Sequence, residues 1–462
     1  MKRFDFALVG SFLNEAELRC FIELFNILKR RGYSCVALTG SNEDEHILKE
    51  KNIPVINFYK GSRKYTFHDH AKLLRECKLL SEKYNLPNLR YIIFAEKCYN
   101  KRKEDFLLKR AVAFFRFAED LIESIDFGCF VNNEGEEIIR LALEYVGRKK
   151  GIPSFYLGSF PAHFENKMFI YDNAMHFMDS DFKIIPYEKM NYKEVKFAEE
   201  LINSVKKDRK VINYNLGINK KHNLVIRKVK KLIKHIKFKD YERLSNAIKY
   251  NLEIVKKKTI LSPMNRLFVT NKLPEHFIFY PLHVVDDSQI TFRNPHFYRQ
   301  DFLIDVIAGF IPEGYSLVVK PHPGLKGLLS LKMIKEIKSI PNVVLVDPKI
   351  NAHYLIEKSD AVIIINSTVG FEALFYFKPV IVMGNWTLKG YGVTIDVENL
   401  FDLPWAIRKA LEIKKVDERK IISFIYSIYK AMYDGSLYTS ERDYEKIANS
   451  LIEKAKKKGV VK

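Results

Sequence analysis

Short apolar runs rich in Val, Ile and Phe alternate along this chain with segments whose apolar residues recur at helical spacing, and the alternation occurs twice. In the first half, residues 4–10, 33–38, 53–58, 127–131 and 154–157 read as strands. Between them, Leu18, Phe21, Ile22, Phe25 and Leu28 mark a helix over 15–31, and further helices are expected near 67–86, 104–125 and 134–149. From Phe277 the pattern restarts, with strands at 277–283, 315–319, 341–347, 361–365 and 379–384. Helices fall between these strands at 295–310, at 353–358 and after Gly370. Strands alternating with helices build βαβ units and a parallel sheet with both faces covered. At 462 residues the chain is too long for one ordinary core. The expected class is α/β: two Rossmann-like doubly wound domains with a helical middle segment and a helical C-terminus. The boundaries are 1–165, 166–270 for a basic connecting region, 271–425, and 426–462 for C-terminal helices.

Charge and composition narrow the function classes. Lys and Arg number 77 against 56 Asp and Glu, a net +21, so an anionic partner is expected. No apolar run approaches the ~18 residues of a membrane span. Asp5 interrupts the apolar N-terminal run and Gly10 ends it like a first Rossmann strand, unlike a secretory signal. A cytoplasmic chain is expected. Cys20, Cys35, Cys77, Cys98 and Cys129 are odd in number and lack CxxC spacing, which argues for reduced thiols and against structural zinc. Between Arg227 and Lys239, seven of thirteen residues are Lys or Arg, while Ile226, Val229, Ile233 and Ile236 keep helical spacing. This basic amphipathic helix, 226–239, fits docking on an anionic membrane surface. An inter-domain helix with a solvated basic face fits it equally. Nucleic acid is not expected, because no binding motif or aromatic ladder accompanies the charge.

Two stretches carry the chemistry. Lys320-Pro321-His322-Pro323 follows the strand ending at Val319, and Asn366-Ser367-Thr368-Val369-Gly370-Phe371-Glu372 follows the strand ending at Ile365. Both fall at the carboxyl edge of one parallel sheet, where open α/β folds bind ligands. A helix entered through Ser367, Thr368 and Gly370 presents free N–H groups and partial positive charge to a phosphate. Lys320 and His322 add charge or a proton, so a nucleotide-sugar site is expected. Asp287, in Asp286-Asp287-Ser288-Gln289, either lies near that donor or caps a turn. On the first domain, Glu134 opens a helix after the 127–131 strand and is a candidate general base. Equally, Asn132 or Asn133 caps that helix and the glutamates complement its dipole. His163, in another edge loop, is a candidate acceptor contact. The Gly10 loop lacks G-x-G-x-x-G, and Asp179-Ser180-Asp181 is a metal motif by letters alone, so no metal ligand is assigned.

Residues 270–395 resemble the capsule polysaccharide biosynthesis family, whose members resemble Kdo transferases of the GT-B plan. The resemblance rests on Tyr280-Pro281-Leu282-His283 with Asp286-Asp287-Ser288-Gln289-Ile290, and on Val319-Lys320-Pro321-His322-Pro323. It continues through Tyr354-Leu355-Ile356-Glu357-Lys358-Ser359-Asp360, Ile365 to Leu374, and Lys378-Pro379-Val380-Ile381. The resemblance implies a GT-B-like arrangement, with the donor nucleotide on the C-terminal domain and the acceptor on the N-terminal domain. It implies a CMP-activated acidic sugar, Kdo- or nonulosonate-like, and a surface polysaccharide or glycolipid acceptor. The same layout also resembles bacterial GT-B sialyltransferases, whose K-x-H-P loop and Ser/Thr pair hold the CMP phosphate. That resemblance implies that His322 contacts the phosphate and assists the leaving group, that Ser367 and Thr368 donate to phosphate oxygens, and that Glu372 faces the ribose or base. CMP is a monophosphate leaving group, so a metal is not expected to be required. Two other readings stand beside this one. One is a UDP-sugar transferase or 2-epimerase on the same fold. The other is a non-catalytic glycan assembly protein held on the inner face of the membrane.

Overall fold

The computed structural model describes the chain apart from residues 11–14, 101, 134, 136, 159–163, 165, 176–181, 210–223, 242–243, 246, 250–251, 253–267, 270–271, 285–286, 323–328, 386–388, 438–442 and 462, and apart from the side chains of 15–16, 99–100, 224–228 and 230–231. Glu134, His163, Pro323, Asp286 and the Asp179-Ser180-Asp181 triplet therefore lie outside the described residues. Two compact units emerge. One comprises Met1–Ser180, Asn213–Lys249 and Met432–Lys462; the other comprises Asp181–Ile212 and Tyr250–Ala431. The expected connecting region is thus shared between them, and the C-terminal helix joins the first unit.

The first unit is built on a seven-stranded sheet. Its strands are β1 (Lys2–Gly10), β2 (Cys35–Thr39), β3 (Val55–Asn57), β4 (Ile125–Asn133), β5 (Ser154–Gly158), β6 (Lys167–Tyr171) and, from the chain's end, β13 (Tyr433–Asp434). The order is β13-β6-β5-β4-β1-β2-β3. The strands from β5 to β3 are parallel, while β6 and β13 add on antiparallel. β1 and β4 hold a run of β-branched and aromatic residues because both faces of a central parallel strand are covered. One face is covered by the helices Glu15–Arg30 and Tyr444–Lys457, whose Leu24, Leu28, Leu451 and Ala455 pack on Phe6, Leu8, Cys129 and Val131. On the other face, Gly147 lies so close to Phe130 that a β-carbon there would stand 2.8 Å from the ring.

The turn after β4 departs from the expected capping. Asn132 and Asn133 end the strand, and the helix begins only at Ile138 behind Glu137, which makes no side-chain cap. Glu96, from the helix Leu89–Asn100, supplies the missing acceptor: its Oε1 accepts the Ile138 N–H at 3.0 Å. Its Oε2 accepts from Arg110 at 3.1 Å, and both side chains are buried. Charges this deep persist because they are paired and hydrogen-bonded.

The basic helix, Leu224–Lys237, belongs to this unit. Asp240 fastens its end by accepting the Asn42 and Glu43 N–H groups and the Ser41 hydroxyl, each at 3.0 Å. A carboxylate at the positive start of the helix Asn42–Glu50 is favourably placed. Lys234 reaches Glu43 at 2.7 Å and His235 is buried beside it.

The second unit holds six parallel strands: β7 (Phe277–Pro281), β8 (Ser316–Lys320), β9 (Val343–Leu345), β10 (Ala361–Ile364), β11 (Val380–Val382) and β12 (Ile395–Asp396), ordered β12-β11-β10-β7-β8-β9. The expected 295–310 helix is a short 3-10 turn, Pro295–Phe297, followed by the helix Gln300–Ala308. The chain is therefore α/β, with two Rossmann-like doubly wound units of the kind that make up the GT-B plan.

Candidate functional site

In the second unit the chain winds outward from β7 to β8 and β9, then crosses back to β10 and continues the other way. The crevice at the carboxyl ends of β7 and β10 is the switch point, where doubly wound sheets bind their ligands. Four exits meet at this edge: His283 after β7, Lys320-Pro321-His322 at the end of β8, Asn366-Ser367 after β10 and Gly384-Asn385 after β11.

A web of amides ties the exits together. The Leu282 N–H donates to the Lys320 carbonyl at 2.9 Å, joining the exits of β7 and β8. Gln300 clamps the His283 backbone, accepting its N–H at 2.8 Å and donating to its carbonyl at 3.2 Å. The Asn366 N–H donates to His283 Nε2 at 3.3 Å, bridging the switch point itself. Asn366 Nδ2 donates to Gln289 Oε1 at 2.8 Å, and Asn294 Nδ2 donates to the Gln289 carbonyl at 2.8 Å. Asn294 in turn accepts the Asn385 N–H at 2.7 Å. Gly384 is required here by close approach, since a β-carbon would stand 2.4 Å from the Ile365 carbonyl oxygen.

His283 is buried, and burial pulls its pKa down to about 4; the His322 ring adds to this and the Asp287 carboxylate opposes it. The imidazole is neutral at pH 7, as its role of acceptor from Asn366 requires. The network places its proton on Nδ1. Lys320 is also buried, and burial lowers its pKa to about 8 against the carboxylates of Glu372 and Asp347. It remains largely a cation at neutral pH. His322 sits exposed at the rim, where the surrounding protein and then the Lys320 charge lower its pKa, while Asp287 raises it.

Ser367 caps the helix Thr368–Phe375, its Oγ accepting the Val369 N–H at 3.2 Å, and its carbonyl accepts the Gly370 N–H at 3.1 Å. Thr368, at the first helical position, is half-buried, and its N–H has no intrahelical partner. Gly370 and Glu372 are buried behind that first turn, with Glu372 set to balance Lys320. Asp287 caps the short helix Ser288–Thr291 through the Gln289 N–H at 2.8 Å. The structure thus gathers Lys320, His322, Ser367, Thr368, Gly370, Glu372 and Asp287 at one sheet edge. In the first unit, the corresponding switch point between β1 and β4 carries Asn132, buried with no hydrogen-bond partner for its side-chain amide among the described residues. Among the described residues no group of three or more His, Cys, Asp or Glu is placed to hold a metal.

Sequence reasoning placed Gln289 and Asn366 within its motifs without giving either a role, and it missed Asn294 and Gln300 as site residues. One signal was available: Gln289 and Gln300 are the chain's two glutamines, and both serve this web.

A pH dependence of stability follows. His283 prefers to be neutral when folded, so its contribution is complete above its unfolded pKa of ~6.5 and is lost as pH falls through about 4. The loss is expected to be on the order of 3 kcal/mol. Denaturant unfolding at pH 7, 6, 5 and 4 is expected to show a steeper decline in the wild type than in His283→Asn. Parallel curves would show that this imidazole does not hold the two exits.

Comparison with known proteins follows the same region. Residues 197–413 match the family described as capsule polysaccharide biosynthesis protein. The capsule polysaccharide export protein KpsS of Escherichia coli is 31% identical over 129 residues, covering 26% of this chain and 33% of that protein. The match thus spans about a third of that relative's length. Among solved structures, the beta-Kdo 2,7 transferase of Thermosulfurimonas dismutans KpsC is 16% identical, with a TM-score of 0.35, covering 76% of this chain and 97% of that one. The UDP-GlcNAc 2-epimerase of Methanocaldococcus jannaschii is 13% identical, with a TM-score of 0.26, covering 93% and 100%. Scores this low do not establish a shared fold. The matched residues contain the edge motifs at Lys320-Pro321-His322 and Asn366–Glu372, so residues 197–413 of this chain are similar to the capsule polysaccharide biosynthesis family.

Proposed function

We propose that the chain is a GT-B-type glycosyltransferase that moves a sugar from a CMP-activated, Kdo- or nonulosonate-like donor to a surface polysaccharide or glycolipid. The observation that carries this reading is the convergence of Lys320, His322 and the Ser367-capped helix start on one switch point. One buried cation, one imidazole and one helix start suit a single phosphate group. In the transfer, the bond from the anomeric carbon to the phosphate oxygen breaks and CMP leaves with the electron pair. The acceptor hydroxyl oxygen forms the new bond and gives its proton to a base. Lys320, Ser367 and the Thr368 N–H are assigned to the phosphate oxygens, and His322 to the proton or hydrogen bond that the leaving phosphate takes. Glu134 is assigned as the base and His163 as an acceptor contact, both on the first unit.

The acceptor reading brings a membrane with it. No helix among the described residues is long and apolar enough to cross a bilayer. The basic helix instead leaves Val229, Ile233 and Ile236 exposed by 47%, 60% and 55%. These residues share one face, while Lys234 and His235 hold the opposite side to Glu43. An outward apolar stripe flanked by lysines fits a peripheral protein on an anionic bilayer. A non-catalytic assembly protein would use the same helix, so activity separates the two readings.

Two outcomes are expected. The surrounding protein and then the Lys320 charge lower the pKa of His322, and a bound phosphate dianion raises it, so CMP binding near pH 6.5 takes up a proton. Calorimetry in buffers of different ionisation enthalpy is expected to detect this uptake in the wild type and to lose it in His322→Ala. CMP-sugar turnover in that variant is expected to fall about 10²–10⁴-fold; unchanged turnover would remove His322 from the chemistry. Separately, Ile233→Asp with Ile236→Asp is expected to abolish sedimentation with phosphatidylglycerol vesicles at unchanged CMP affinity. Vesicle binding that survives both changes would reassign the helix.

A further inference from the structure

At the carboxyl edge of the first sheet, buried charges are paired and buried amides are not. Glu96 is held by Arg110 at 3.1 Å and by the Ile138 N–H at 3.0 Å. Arg140 is held by Glu137 at 2.9 Å and by the Asn133 carbonyl at 3.2 Å. In the helix after β2, Glu45 binds Lys49 and Lys60 at 2.6 Å each. Asn132 is 1% exposed, yet neither Nδ2 nor Oδ1 has a hydrogen-bond partner among the described residues. Oδ1 of Asn133, next in the strand, is likewise buried without one. Strand geometry explains why the Asn132 amide is left over. Alternation puts it on the sheet face of Phe130, which Gly147 and the helix Ile138–Lys149 cover. That helix starts just beyond the end of β4, so Asn132 lies at its first turn. The register partners of Asn132 in the neighbouring strands are Val9 and Tyr156. Val9 has no polar side chain, and the Tyr156 hydroxyl donates to Glu144 at 2.6 Å. Gly135 keeps the exit of β4 bare, because a β-carbon there would collide with the Arg140–Glu137 pair.

We infer that Asn132 and Asn133 form a subsite for an uncharged, hydroxyl-rich group, a neutral sugar ring, at the switch point of the first unit. A buried amide without partners costs stability, and such a cost is retained where a ligand completes the hydrogen bonds. The chemistry of the side chains selects the ligand class. A carboxamide offers donors and an acceptor together, which matches hydroxyl groups that both donate and accept. A carboxylate or phosphate would call for a cation whose charge is not already neutralised. The buried cations at this edge, Arg110 and Arg140, are neutralised by Glu96 and Glu137. The two switch points are therefore built for opposite ligands: Lys320 and His322 in the second unit suit an anion, and paired charges with spare amides in the first suit a polyol. The role of this subsite in holding the acceptor rests on the transferase reading, and it specifies that the end of the acceptor meeting the first unit is a neutral sugar.

Saturation-transfer NMR on the full chain tests this with methyl β-glucoside, methyl β-galactoside and methyl N-acetyl-β-glucosaminide, each titrated with CMP present. Methyl β-glucuronide and methyl β-galacturonide serve as charged counterparts. At least one neutral glycoside is expected to bind, more tightly than the uronides. Asn132→Leu is expected to weaken that binding about tenfold. Its thermal midpoint is expected to equal or exceed that of the wild type, because an amide without partners is replaced by an apolar group of similar shape. If leucine overfills the space and the midpoint falls, Asn132→Val carries the same comparison. Glycoside binding that is unchanged in the variant, a preference for the uronides, or no glycoside binding at all would overturn the subsite. A midpoint lowered in both variants would also overturn it, by showing that the amide is used within the fold. Titration of the same proteins with CMP separates the two readings. Neutral glycoside binding without CMP affinity would sink the transferase and leave the subsite, whereas CMP affinity without glycoside binding would sink the subsite alone.

Discussion

A neutral, buried imidazole holds the candidate site together. Two strands that leave the sheet on opposite sides of a topological switch must be kept at a fixed separation, or the crevice between them has no defined shape. His283 does this by accepting the Asn366 N–H while Gln300 grips its own backbone. The arrangement works only while Nε2 has a free lone pair, which burial secures by keeping the ring unprotonated. Hydrogen bonds from one amide of the web to the next offset much of the cost of burying these polar groups, while Asn366 Oδ1 is buried with no hydrogen-bond partner among the described residues. Gly384 completes the web by letting the β11 exit approach the β10 backbone without a side chain between them.

Charge at the site is divided between a buried and an exposed group, and each suits a different task. Lys320 lies below the edge with Glu372 and Asp347 near enough to preserve its charge, so it supplies a fixed positive field. His322 stands at the rim with its pKa lowered, so its protonation follows whatever anion arrives. The start of the helix Thr368–Phe375 adds oriented N–H groups that need no titration. A fixed cation, a responsive imidazole and a helix terminus together can stabilise negative charge as it grows on a departing phosphate.

The fold was legible because central parallel strands must be apolar on both faces, and runs such as Ala361–Ile365 admit no other reading. What sequence could not supply was long-range hydrogen bonding. The helix after β4 begins at Ile138 because Glu96, on a helix that passed unnoticed, accepts its first N–H. The strands β6 and β13 escaped notice because β13 is two residues long and pairs antiparallel across most of the chain's length. At the site, charged and hydroxyl residues were found from their motifs. The amides received no role even where a motif contained them, as at Gln289 and Asn366, because Asn and Gln serve equally as caps, turn formers and web partners. Glu372 shows the converse: its motif points to a ligand, while its burial behind Gly370 places it against Lys320.

The identity of the nucleotide at the β7–β10 switch point is the claim on which the functional account turns. Isothermal titration of the purified chain with CMP, UDP and GDP, without added metal, addresses it directly. Micromolar binding of CMP in preference to the diphosphates, weakened in Ser367→Ala, is the expected result. Preference for UDP would contradict the CMP-sugar assignment, and binding of none of the three would leave the edge motifs without their ligand.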